Sequence, residues 1–128
     1  MLLETIDSAV LEAARKQERV RICRALIEER RLVRKAFGKP LCANPNWDMF
    51  LELYDAQAMG RSVYQSALCL SADIPDSSAH RSAAKLASDG ILARHRDEMD
   101  KRQIIVTMTD NTRHALDGIM DGLAAWAR

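Results

Sequence analysis

No stretch of this chain approaches the roughly 18 consecutive apolar residues of a membrane-spanning helix. Apolar residues nevertheless make up 48% of it, enough to build a core. Met1-Leu2-Leu3 runs straight into Glu4 and Asp7, so no secretory leader is expected. Cysteine is scarce and odd in number: Cys23, Cys42 and Cys69 show no metal-ligand spacing and cannot make a complete disulfide framework. A reduced, cytoplasmic chain with no membrane partner is the expectation. His80, His95 and His114 form no H-x-x-x-H pair, and no glycine-rich phosphate loop occurs. Ser66 and Ser77 have no recognisable base partner. Neither a metal site, a cofactor nor an enzyme is therefore expected. Internal repeats and low-complexity segments are also lacking.

The most informative absence is between residues 3 and 37, where there is neither glycine nor proline. Leu3, Ile6, Val10, Ala13, Val20, Ile27 and Val33 recur there mostly at three- and four-residue steps or their multiples, with charge between them. This is the pattern of one amphipathic helix, about 50 Å long at 1.5 Å per residue. A helix of that length exceeds what a single small domain can cover. Its apolar stripe needs another surface, and an identical subunit is the simplest one. Gln17 and Arg24 interrupt a strict heptad, so irregular packing is expected.

The 128 residues suit a single domain. Net charge is only +1, yet ten of the nineteen basic residues lie between Arg15 and Lys39. Two readings of these stand. Interleaved Glu12, Glu18, Glu28 and Glu29 can pair with them along a solvated helix face; alternatively, the distal cluster Arg30, Arg31, Arg34 and Lys35 faces phosphate. Gly38-Lys39-Pro40 ends the helix, and Leu41 to Pro45 reads as a connector. Asn46 is placed to cap the next helix, with Asp48 near its positive end. Trp47, Phe50, Leu51 and Tyr54 form its apolar face and Gly60 closes it.

From Ser62 to Thr109 the chain reads as helix, tight turn, helix and two-stranded hairpin. Ser62 and Gln65 stand at capping-box spacing. The first helix runs to about Leu70, and Ser71-Ala72-Asp73-Ile74-Pro75 interrupts it. The second begins near Pro75 or Asp76 and stops at Asp89-Gly90, where glycine suits the left-handed position and Ile91 folds back on the last turn. Ile91 to His95 is a strand, Arg96 to Arg102 a charged loop, and Gln103 to Met108 the return strand. Two short helices joined by a small turn can push one helix into a major groove while the other braces it. Ser77, Ser78, His80, Arg81 and Lys85 mark the candidate reading face, with Ala79, Ala83 and Leu86 turned inward. Arg81 has the geometry to bond guanine O6 and N7 together. A solvated face without a ligand is the alternative, since Asp76 and Asp89 bracket the cations.

Leu68, Ile74, Ser78, Arg81, Leu86, Gly90-Ile91-Leu92-Ala93-Arg94, Asp100-Lys101-Arg102 and Met108-Thr109 occur in an order and spacing that resembles the winged helix-turn-helix of MarR-family bacterial transcriptional regulators. About fifty residues carry the resemblance. Pro75 stands where the family more often has Ser or Thr, and Thr112 where it usually has Gly. The resemblance implies a mainly α fold with a small β wing (α+β), as a winged helix-turn-helix with long terminal dimerisation helices. It implies an N-terminal dimerisation helix over 1–38, a DNA-binding core over 39–109 and a C-terminal dimerisation helix over 110–128, all in one compact domain. The expected partners are double-stranded DNA, a second copy of the chain and a possible small-molecule effector. Arg96, Lys101 and Arg102 would join the reading face as wing contacts, with Asp100 orienting a neighbouring cation. Leu3, Ile6, Val10, Ile119, Leu123 and Trp126 would make the dimer. The competing reading is a winged helix used as a protein-interaction or assembly module, which the near-neutral charge and acidic wing favour.

Overall fold

The computed structural model describes residues 2–128, with side chains described from Asp7 onward. Leu3 and Ile6, two of the expected dimer contacts, therefore lie outside the residues whose side chains are described. The long helix is continuous: α1 spans Leu2–Phe37, about 54 Å at the standard rise. A short helix follows at once, α2 at Lys39–Cys42, with Pro40 in its first turn. This corrects the expectation of an irregular connector, because proline pre-sets the backbone angle of a first helical turn. For the same reason α3 starts at Pro45 and runs to Ala58. Its N-terminal flanking residue is Asn44 rather than Asn46, and no side chain caps it.

A second correction concerns Val63–Tyr64. They form a strand, β1, rather than the first turn of a helix opened by Ser62. Val63 pairs with Val106 and Tyr64 with Ile105. A β-branched and an aromatic residue suit a pleated surface, and burial of Val63 outweighs the capping box that Ser62 offers. Helix α4 then spans Gln65–Leu70 and α5 spans Asp76–Ser88. Strands β2 (Leu92–Arg96) and β3 (Ile104–Met108) form an antiparallel hairpin. With β1 on the other side of β3, the sheet has three strands rather than two. Helix α6 closes the chain at Asp110–Trp126.

The end of α5 shows why the turn into the sheet is tight. Gly90 adopts φ +76°; its N–H bonds Ala87 O at 3.1 Å, and the Ile91 N–H bonds Leu86 O at 2.9 Å. These two bonds satisfy carbonyls that the helix end would leave open, and Ile91 packs against the core. The core itself is one cluster. It joins Ile22 and Cys23 of α1, Met49 and Leu51 of α3, Leu68 of α4, Ala83 and Leu86 of α5, Leu92 and Val106 of the sheet, and Leu116 and Met120 of α6. The winged part and the terminal helices therefore share a single hydrophobic centre, which holds α5 at a fixed position relative to α1.

Of the four basic residues near the end of α1 that could face phosphate, Arg30 and Arg34 are turned inward and Arg31 and Lys35 are exposed. Asp48 is 7% exposed. It receives Arg30 Nε at 2.8 Å, with Arg34 Nη1 at 3.5 Å. Arg34 Nε also lies 2.8 Å from Asp73 Oδ2, and Lys39 Nζ is 3.7 Å from Oδ1 of the same carboxylate. Arg30 reaches the Cys42 carbonyl as well. Asp73 sits in the turn between α4 and α5 with φ +56°, a left-handed conformation that aspartate tolerates better than most side chains. Two arginines of α1 thus join the long helix to α3 and to the turn that presents α5. Arg31, by contrast, is exposed and pairs with Glu28 along the helix surface.

Candidate nucleic-acid interface

Helix α5 has two unlike faces. Ala79, Ala83 and Leu86 are buried, at the i, i+4, i+7 spacing of one helix side. Ser77, Arg81 and Lys85 are exposed at successive four-residue steps, a polar stripe of about 12 Å. Arg81 Nη2 donates to Ser78 Oγ at 3.2 Å, and Lys85 Nζ lies 3.2 Å from Asp89 Oδ2. Both contacts are at the surface, where such pairs exchange readily for a stronger anion. Ser78 and His80 are half-buried. His80 Nδ1 turns inward to the side-chain amide of Gln65, 2.8 Å away.

The wing is the loop between β2 and β3. Arg96 belongs to the strand, paired with Ile104, so the loop starts one residue later than expected; its Nη1 donates to Lys101 O at 2.9 Å. Asp100 binds Arg102 on three sides: it accepts the Arg102 backbone N–H at 3.2 Å, Nε at 3.0 Å and Nη2 at 3.2 Å. The guanidinium hydrogen bonds hold the Asp100 carboxyl below the usual carboxylate range. Lys101 is exposed at the loop's edge. At the base of the wing the Tyr64 hydroxyl donates to Asp97 Oδ2 at 2.5 Å, which raises the phenol pKa and lowers that of the carboxyl. Met99, 94% exposed, stands at the tip.

The two sets of expected residues are thus displayed on separate projections, one helix face and one hairpin tip. Three contributors were not singled out from sequence: Gln65, Arg94 and Tyr64. Gln65 appeared only as half of a capping box and Arg94 only within a strand motif. Among the described residues, no group of three or more His, Cys, Asp or Glu is arranged to hold a metal ion, and no helix is long and apolar enough to cross a membrane.

A second feature lies away from α5. A cleft of about 750 Å³ opens between α1, the end of α3 and α6, lined by residues including Lys16, Val20, Tyr54, Met59 and Arg113. Its wall is pinned by Arg19, which donates through Nε and Nη2 to the two Asp121 oxygens, each at 2.9 Å. The Tyr54 hydroxyl donates to Asp117 Oδ1 at 2.6 Å. Burial, then the bond to Asp117, raises the Tyr54 phenol well above its ordinary value, and the Arg19 bond depresses Asp121.

A helix-turn-helix whose second helix is followed by a hairpin, with a short first strand completing the sheet, defines a winged helix-turn-helix. Long helices before and after that unit narrow the class to the fold of MarR-family transcriptional regulators, and solved structures agree. The haem sensor PefR from Streptococcus agalactiae, in complex with haem, superposes with a TM-score of 0.52 at 14% identity, over 98% of this chain and 74% of that one. A MarR family transcriptional regulator from Silicibacter pomeroyi gives 0.53 at 18% identity, over 81% and 67%. Reduced AbfR bound to DNA gives 0.50 at 18% identity, over 98% and 83%. No family profile matches the sequence, and no curated protein matches it either. The likeness is one of fold.

Proposed function

We propose that this chain is a MarR-type transcriptional regulator that binds specific double-stranded DNA as a homodimer and has no enzymatic activity. The observation that carries the reading is the two-sided α5, with an apolar face buried in the core and a polar stripe of Ser77, Arg81 and Lys85 facing out, in a chain whose hairpin loop exposes Lys101 and Arg102. That AbfR is bound to DNA in its structure supports it by analogy of fold. In this reading each subunit inserts α5 into the major groove of a half-site and the dimer sets the half-site spacing. Arg81 reads a base edge. Ser77, Ser78 and the exposed side of His80 lie near the helix N-terminus, where backbone N–H groups favour phosphate, and Lys85 adds a cation one turn on. Arg96, Lys101 and Arg102 follow the flanking phosphates or minor groove, with Asp100 fixing Arg102.

The dimer surface would be built from the apolar side chains that the monomer leaves open, Val10 on α1 and Ile119, Leu123 and Trp126 on α6. The cleft between α1, the end of α3 and α6 is the proposed effector site. Its exposed Lys16 and apolar Val20 and Met59 suit an organic anion with an apolar body. Haem, the ligand of PefR, fits less well: among the described residues no histidine or cysteine lines the cleft, the Met59 sulfur already accepts from Arg24, and the Tyr54 hydroxyl is given to Asp117.

The competing use of the fold, as a protein-docking module, draws on the acidic wing and its exposed Met99. A salt titration of duplex binding separates the two. Phosphate contacts give a steep fall of affinity with salt, and a protein-only module gives none. Selection from a random DNA pool should then return a palindromic site; recovery of no enriched sequence would count against sequence-specific regulation.

A further inference from the structure

Gln65, the first residue of α4, is 7% exposed. A buried primary amide brings a donating nitrogen and an accepting oxygen, and each needs a partner. Its partners come from the two other parts of the winged motif. Arg94 of β2 holds Nη1 3.3 Å from Gln65 Oε1, and His80 of α5 holds Nδ1 2.8 Å from Gln65 Nε2. A guanidinium only donates, so the amide oxygen must face Arg94. The amide nitrogen must then face His80 and donate to it. His80 Nδ1 is therefore an acceptor, and the ring proton sits on Nε2, which looks toward Asp76 Oδ2 at 3.6 Å. Turning the amide over would set its NH2 against the guanidinium. Moving the ring proton to Nδ1 would set two donors together. One arrangement satisfies all three groups.

We propose that Gln65 is a positioning residue for sequence reading, locking the recognition helix to the wing strand through His80 and Arg94. This rests on the DNA-reading function proposed above. Apolar packing between α5 and the sheet is non-directional, whereas a three-membered hydrogen-bond relay fixes rotation as well as distance. Phosphate contacts tolerate a slightly rotated helix; a bidentate contact to a base does not. Loss of the relay therefore lowers preference for the right sequence more than it lowers binding to DNA in general.

Two measurements test this. Imidazole nitrogen NMR of the free wild-type protein, at a pH where His80 is neutral, should report Nδ1 unprotonated and Nε2 protonated. The opposite tautomer overturns the relay, whatever any variant does. In Gln65→Leu the ratio of affinities for a selected and a scrambled duplex should fall on the order of tenfold, the scale of one lost hydrogen bond. Its salt dependence on the scrambled duplex should stay unchanged. Adding Arg94→Leu should lower the ratio no further, since both act through one link. An unchanged ratio in a folded Gln65→Leu variant sinks the inference. Wild-type protein that binds no duplex sinks the DNA reading instead, and the tautomer then still reports on the relay.

Discussion

At the scale of single residues, the interface divides into side chains that would read bases and side chains that would hold phosphate. Arg81 stands mid-stripe on α5, and its removal should cost about 1–3 kcal/mol on the preferred duplex while relaxing sequence preference. Lys101→Ala should weaken all duplexes alike and make the salt slope shallower. Equal, sequence-independent losses from both substitutions, measured by duplex titration, would refute the division. Asp100 gives the sharper test. It grips Arg102 through three hydrogen bonds, so in the proposed complex it would organise a cation beside the DNA. Asp100→Ala should leave the melting temperature nearly unchanged, because the pair is exposed, yet weaken binding. Simple electrostatics predicts the reverse, since the substitution deletes a negative charge; tighter binding would show that Asp100 is only a solvated loop charge. The two faces of α5 were legible from spacing alone, because Ala79, Ala83 and Leu86 repeat at helical steps. Gln65 was not legible: its partners stand 15 and 29 residues away, and a glutamine bound for burial reads like one bound for solvent.

At the scale of elements, length and end-signals carried the reading and competition between local rules limited it. The span of α1 follows from the missing glycine and proline, and the close of α5 from Gly90. Val63–Tyr64 went the other way because a capping box and a β-forming pair compete over the same few residues, and only the distant partner strand, at Ile105 and Val106, decides between them. The arginines of α1 show the same limit. Their charge was plain, but Asp48 and Asp73, which turn them inward, belong to other elements. Removing Asp48 leaves Arg30 and Arg34 partly buried without their shared carboxylate, so Asp48→Ala should cost about 3–5 kcal/mol in urea unfolding. A change within the noise of the denaturation curve would mean that water replaces the carboxylate. The junction of α1 with α6 should respond to acid. Asp121 has its pKa depressed by the hydrogen bonds from Arg19, so the stability it adds is present above the unfolded carboxylate value of about 3.9. That contribution is lost as pH falls through the lower folded value. The stability difference between wild type and Asp121→Asn should be flat from neutral pH down to about 5 and shrink in acid. A difference that instead grows in acid would assign the shift to another group.

At the scale of the whole molecule, the terminal helices leave large apolar side chains open to solvent. Leu116, Met120 and Ala124 of α6 face the core, while Ile119, Leu123 and Trp126 face out, the last 86% exposed. Val10 and Leu11 on α1 are 61% and 66% exposed. Burial of a large apolar side chain contributes about 1.5–3 kcal/mol, so leaving several open on the terminal helices forgoes much of what a domain of this size has to spare. Gly118 and Gly122 lie on the same helix with no atom near where a side chain would start, so a partner's backbone can approach closely there. In the proposed dimer a second copy of the same chain would meet each of these surfaces with its own, and a twofold axis would close the contact without leaving a new edge. The protein should therefore sediment as a dimer of about twice its 14.4 kDa mass at micromolar concentration. Leu123→Asp should shift it toward monomer and lower its melting temperature together, because folding and association would share the same surface. DNA binding should fall with dimer content rather than with charge, since half-site spacing needs two recognition helices. A folded wild-type monomer at micromolar concentration, with a melting temperature independent of dilution, would overturn the dimer and with it the two-half-site mode of reading.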